Sequence, residues 1–156
     1  MSEHAENCAH HPSPYPEGQA PSVASAPSGE NACHFVRLGG EAGVERLVER
    51  FYFHMETRPD AHEIRALHPA DLGPVKQVLR AYLSEWTGGP QVYSTERGHP
   101  RLRRRHLAFS IGVRERNAWM ACMRAALDEV IDDAVLRQEL GAAFWKTADF
   151  IRNQQE

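Results

Sequence analysis

The sequence predicts an all-α domain, and three observations carry that reading. Apolar residues recur at steps of three and four along four long segments, the spacing of a single buried helix face. No segment alternates apolar and polar residues with the period of two that a half-buried strand needs. The glycine pairs Gly39-Gly40 and Gly88-Gly89, with Pro59, Pro69, Pro90 and Pro100, punctuate the periodic segments as breakers do.

The elements follow in order. Residues 1–33 hold five of the ten prolines and a single aromatic residue, Tyr15. Such a segment buries too little apolar surface to offset the entropy of ordering it. It is expected to be a disordered extension, followed by one folded domain over residues 34–156. His4, Cys8, His10 and His11 in the extension are soft-metal ligands by type, but the composition suits a flexible polar tail. The first long helix starts at Gly39-Gly40 and presents Val44, Leu47, Val48, Phe51, Tyr52 and Met55 on one face. Between Pro59 and Pro69 there is room for a short helical turn around His62 to Leu67. Val75, Val78, Leu79, Tyr82, Leu83 and Trp86 repeat the spacing, and Gly88-Gly89-Pro90 supplies a left-handed cap and then a stop. A loop is expected from there to Gly98. Pro100 suits the first turn of a short helix containing Leu102 and His106. The next helix carries Trp119, Cys122, Met123, Ala126, Leu127, Val130 and Ile131, and the last carries Leu136, Leu140, Ala143, Phe144, Thr147 and Ile151. Trp145 and Phe150 are expected to leave some apolar surface exposed.

Composition excludes several function classes. A chain of 156 residues is one small domain with a single core, and its net charge of −3 argues against general nucleic-acid binding. No apolar run approaches the roughly 18 residues of a membrane span, and no signal-peptide core is present, so a cytoplasmic location is expected. Cys8, Cys33 and Cys122 are too few and too scattered for a disulfide framework. No C-x-x-C or C-x-x-C-H occurs, which excludes a thioredoxin-like motif and covalent haem attachment of the c type.

The stretch HPRLRRRHLAF, from His99 to Phe109, sets four arginines between two histidines. Zinc takes three or four side-chain ligands at close spacing. His106 has no companion at i, i+4, and two helical turns put His99 about 10 Å away. Haem iron differs, because its macrocycle gives four nitrogens and one neutral imidazole completes the proximal side. His106, followed by the apolar Leu107, Phe109 and Ile111, suits that role; a lone histidine beside apolar residues is otherwise an ordinary core or surface residue. Tyr52 and Trp119 bring an O–H and an indole N–H into apolar helix faces. Either can be plain core with a carbonyl partner. Together they can also stabilise negative charge on the outer atom of a diatomic ligand.

These segments resemble the group II truncated haemoglobins. LGGEAGVERLVERFY is similar to that family's opening helices, LHPADL to its connector and YLSEWTGGP to the end of its distal helix. RGHPRLRRRH resembles the proximal segment and ERNAWMACM the helix with the distal tryptophan. The resemblance covers residues 35 to 153 and implies a two-over-two helical sandwich, a shortened globin, around haem b. It implies His106 as the iron ligand, with its other ring nitrogen held by a nearby acceptor. It implies Tyr52 and Trp119 as distal donors, with His68 as a third polar group at the pocket edge. Val75 falls where larger globins often place a distal histidine, and a valine cannot donate. Leu79, Leu102, Phe109 and Ile111 are implied as haem walls, and Arg105 as a propionate partner. Tyr93 and Lys76 are further propionate candidates. Arg101, Arg103 and Arg104 cannot all reach the propionates, and at least two are expected to be solvated.

The leading expectation is a haem b protein that reversibly binds O2 and other diatomic ligands, NO and CO among them, in the ferrous state. A second is an enzyme on the same haem, an NO dioxygenase or a peroxidase acting on peroxide. No G-x-G-x-x-G fingerprint is present, so the dioxygenase would draw electrons from a separate reductase. A third is a haem-free helical interaction module, for which His106→Ala would change neither cofactor content nor stability. No nucleic-acid or membrane partner is expected. The sequence leaves the oligomeric state and the choice among transport, sensing and detoxification open.

Overall fold

The computed structural model describes residues 33–155, and every regular element among them is helical. Residues 1–32 of the expected extension lie outside the described residues. Helix α1 spans His34–Leu38, α2 Gly40–Thr57, α3 His62–Ala66, α4 Gly73–Trp86, α5 Val92–Arg97, α6 Leu102–His106, α7 Val113–Val130 and α8 Ala134–Ile151. A 3-10 turn, Pro59–Ala61, joins α2 to α3. The four long helices form two pairs, α2 with α4 and α7 with α8, and the pairs meet where α2 packs on α7. This is the two-over-two sandwich.

The apolar stripes read from the sequence make the core. Val44, Leu47, Val48, Phe51 and Met55 of α2 are almost wholly buried, against Met120, Cys122, Met123, Ala126 and Leu127 of α7 and Leu136, Leu140 and Phe144 of α8. Each fully buried large side chain contributes about 1.5–3 kcal/mol relative to exposure. Cys122 is a free, buried thiol, and burial pushes its pKa up to about 11, so it packs as a small apolar residue. Cys33 is disulfide-bonded, so the cysteines do contribute a cross-link that their count did not suggest. None of the described helices is long and apolar enough to cross a membrane.

Two glycine turns fix how helices enter the bundle. Gly39, at φ 103°, ends α1 and begins α2 in one residue, and a Cβ at Gly43 would stand 1.9 Å from the Leu38 carbonyl oxygen. The α1–α2 corner therefore closes only over a residue without a side chain. Gly88, at φ 102°, ends α4. Its N–H donates to the Glu85 carbonyl at 3.0 Å, and the Gly89 N–H donates to the Ser84 carbonyl at 2.7 Å, the paired bonds of a Schellman cap.

Two local expectations need correction. The segment after Gly88-Gly89-Pro90 is not all loop, since α5 forms over Val92–Arg97. Its first turn is held by the Glu85 carboxylate, which accepts from the Ser94 N–H at 2.8 Å. Pro100 is buried ahead of α6 rather than in its first turn, and Arg101 at the N-cap takes a left-handed φ of 44°. That is the one positive φ at a non-glycine among the described residues, a conformation costing about 1–2 kcal/mol. Trp145 and Phe150 are half-buried, and the Arg116 and Arg124 guanidinium groups lie 4.3 and 5.6 Å from the Trp145 ring.

Candidate haem site

The proximal side is built on α6, a helix of five residues held between longer elements. His106 is its last residue and is half-buried. Its Nδ1 lies 2.6 Å from the Leu102 carbonyl oxygen, one turn earlier. A carbonyl only accepts, so Nδ1 carries the proton and Nε2 keeps its lone pair. The acceptor expected beside the imidazole is thus a backbone carbonyl of the same short helix.

Helices α2 and α7 and the turn after α3 carry the other polar candidates. Tyr52 is 4% exposed on α2, and burial pushes its hydroxyl pKa up to about 12, so the group is a neutral donor. Phe51 joins it to Trp119 of α7, with ring centroids 4.9 Å from Tyr52 and 5.0 Å from Trp119. His68, just past α3, stands edge-on to Tyr52 at 5.9 Å, and its Nδ1 is 2.8 Å from the Ile64 carbonyl oxygen. Its pKa is lowered by burial, with smaller contributions from the charges of Arg65 and His106, so His68 is neutral at pH 7.

Among the described residues, neither the Tyr52 hydroxyl nor the Trp119 indole N–H bonds to another protein group, and no side-chain polar atom is sealed off without a partner. Both donors therefore open onto accessible space rather than into packed core. Val75, Val78, Leu79 and Leu102 are half-buried against the core. Leu107 is 61% exposed and Phe109 39%, while Ile111 is half-buried. An incompletely covered apolar wall, two open donors and one imidazole lone pair fit a flat apolar group with a single axial ligand.

The four arginines, Arg101, Arg103, Arg104 and Arg105, are all exposed. Arg105 donates from Nη2 to the Arg97 carbonyl at 3.4 Å, and its guanidinium carbon lies 6.0 Å from the ring centroid of Tyr93. Tyr93 is buried, edge-on to Tyr82 at 5.5 Å. Lys76 is less suited to a propionate than expected, because its Nζ pairs with Glu49 at 2.9 Å. Sequence reasoning missed Asn153, whose side chain donates to the His106 carbonyl at 3.1 Å and to the Phe109 carbonyl at 2.8 Å. No local pattern marks it, since its partners lie 44 and 47 residues away.

Residues 34–153 match the bacterial-like globin family. The chain belongs to that family, in its group II truncated haemoglobin branch. It is 34% identical over 117 residues to group 2 truncated hemoglobin YjbI of Bacillus subtilis (strain 168), a match covering 75% of this chain and 86% of that protein. The group II 2-on-2 hemoglobin of the plant pathogen Agrobacterium tumefaciens superposes with a TM-score of 0.78 at 42% identity, over 82% of this chain and 99% of that one. A cold-adapted truncated hemoglobin from the Antarctic marine bacterium Pseudoalteromonas haloplanktis TAC125 gives 0.78 at 38% identity, over 79% and 99%. This truncated globin is therefore a haem-binding protein of a family that binds small gaseous ligands such as O2.

Proposed function

We propose that this truncated globin holds haem b through His106 and reversibly binds O2 and other diatomic ligands, with Tyr52 and Trp119 as hydrogen-bond donors. The observation that carries the reading is the pair of open donors, Tyr52 and Trp119, bracketing Phe51. The lack of a C-x-x-C-H motif supports a non-covalent haem. Bound haem supplies a redox-active iron with one face open to a diatomic ligand.

The chain's own residues do the rest. The Leu102 carbonyl holds the His106 proton on Nδ1, which leaves the Nε2 lone pair free to hold the iron. Tyr52 and Trp119 would donate to the outer atom of a bound diatomic ligand, where negative charge would collect, in surroundings that water screens poorly. His68, neutral and already bonded to Ile64, leaves Nε2 towards the pocket edge as a third polar group. Val75 and Leu79 exclude water without donating. Leu102, Phe109 and Ile111 would wall the proximal side, and Arg105, whose guanidinium lies 6.0 Å from the Tyr93 ring centroid, would pair with a propionate.

A haem titration followed by absorption tests the proximal assignment. The native chain is expected to take up one equivalent and to give bands that shift on reduction and on CO addition. His106→Ala is expected to lose or alter those bands and to regain them with free imidazole. Native bands in His106→Ala without imidazole would exclude His106 as the ligand.

A further inference from the structure

We propose that Asn153 is a positioning residue for the proximal imidazole, tying the end of α8 to the segment that carries His106; this rests on the assignment of His106 as the iron ligand. The segment after α6 turns out of helix at once, and residues 107–112 form no regular element before α7. Within the segment, the His106 carbonyl accepts from the Phe109 N–H at 3.0 Å and the imidazole Nδ1 donates to the Leu102 carbonyl at 2.6 Å, ties that all come from residues close in sequence. Asn153 adds a tie from the end of α8. Its Nδ2 donates to the carbonyls of His106 at 3.1 Å and Phe109 at 2.8 Å, and its Oδ1 accepts from the Ile111 N–H at 3.0 Å. The Asn153 and Gln154 N–H groups both donate to the Ile111 carbonyl, at 2.9 and 3.1 Å.

The residue types and the backbone fit this function. Asparagine is the shortest side chain with two amide protons and a carbonyl oxygen, so it satisfies two acceptors and one donor from a single Cγ. Arg152 leaves helical geometry at ψ 136°, which turns Asn153 out of α8 and towards Ile111. The hinge is anchored behind: Asp149 of α8 accepts from Arg152 Nε at 2.8 Å and pairs with Arg116 of α7. On the far side, Glu115 caps Gly112 at 2.8 Å and fixes the start of α7 one residue past Ile111. The bond to the His106 carbonyl acts on the peptide plane of the residue whose imidazole would hold the metal. Small losses of orientation in such supporting groups reach the metal through its ligand.

The test uses the full chain in two forms. Without haem, amide exchange at Ile111 is expected to be at least tenfold faster in Asn153→Ala than in the native chain. In Asn153→Asp, which keeps the acceptor, that amide is expected to stay protected. With haem in the ferrous, unliganded state, the iron–imidazole stretching band in resonance Raman is expected to shift and broaden in both variants. Ala142→Gly, at an exposed position of α8, serves as control by weakening the helix without touching residues 106–111. An iron–imidazole band unchanged in Asn153→Ala overturns the proposal, even if the variant melts earlier. An equal shift in Ala142→Gly also overturns it, because generic loosening of α8 would then suffice. Failure of the proximal assignment shows separately, as a native band in His106→Ala.

Discussion

His68 and Tyr52 sit edge to edge, yet acid reaches them differently. Tyr52 stays neutral across the physiological range, since burial pushes its pKa up to about 12. His68 has its pKa lowered, first by burial, so the folded protein resists its protonation more than the unfolded chain does. Stability attributable to this residue is thus full above the ordinary histidine pKa, about 6.5, and falls as pH drops from there towards the lowered folded value. Thermal melts of the native chain and His68→Phe between pH 7.5 and 5 are expected to converge in acid, the variant lacking this part of the pH slope. Parallel melting curves across the range would remove His68 as the source. Tyr52, Trp119 and His106 stood out as candidates because each stands inside an apolar helical spacing or beside an apolar run, where a polar group needs a reason. Lys76 was named as a propionate candidate without its partner in the fold, Glu49, because that residue lies on another helix 27 residues away.

Among the elements, the corner between α1 and α2 depends most sharply on one residue. A methyl group at Gly43 meets the Leu38 carbonyl carbon and oxygen at 2.7 and 1.9 Å, backbone atoms that cannot turn aside. Gly43→Ala is expected to destabilise the fold by about 1–3 kcal/mol, as overpacking of a tight contact does. Urea unfolding would measure it, and a midpoint equal to that of the native chain would show that α1 shifts freely. At the start of α8, Asp133 caps the helix through the Val135 and Leu136 N–H groups and pairs with Arg37 of α1. Asp133→Asn keeps a cap acceptor but loses the charge, so its melting temperature is expected to lie between those of the native chain and Asp133→Ala. The long helices were legible because their apolar faces repeat over several turns. Helix α5 was not, because Val92, Ser94 and Thr95 are weak helix formers and the carboxylate that steadies them, Glu85, comes from α4. The left-handed Arg101 was equally hidden, since no residue type there announces it.

At the scale of the molecule, two packed helix pairs, α2 with α4 and α7 with α8, carry the candidate residues Tyr52 and Trp119 on the two helices that pack on each other, α2 and α7. The wall towards α6 is apolar but poorly covered by protein, while the arginines beside it face water. Their positive charge stands out against a chain of net charge −3, and a bound group carrying two carboxylates would meet it at Arg105. The order of the motifs made the two-over-two helix packing legible from the sequence. The latch between α8 and α6 was not, because it joins residues that only the finished fold brings together.

The most direct test of the distal arrangement is the O2 dissociation rate of the ferrous haem-loaded protein, measured by stopped flow for the native chain, Tyr52→Phe, Trp119→Phe and the double variant. Each donor is expected to contribute about 1–2 kcal/mol, so each single substitution should raise the rate roughly 5- to 30-fold. The double variant should be faster than either. Rates equal to the native value in all three variants would contradict the donor roles, leaving Tyr52 and Trp119 as core residues that face the pocket without serving its ligand.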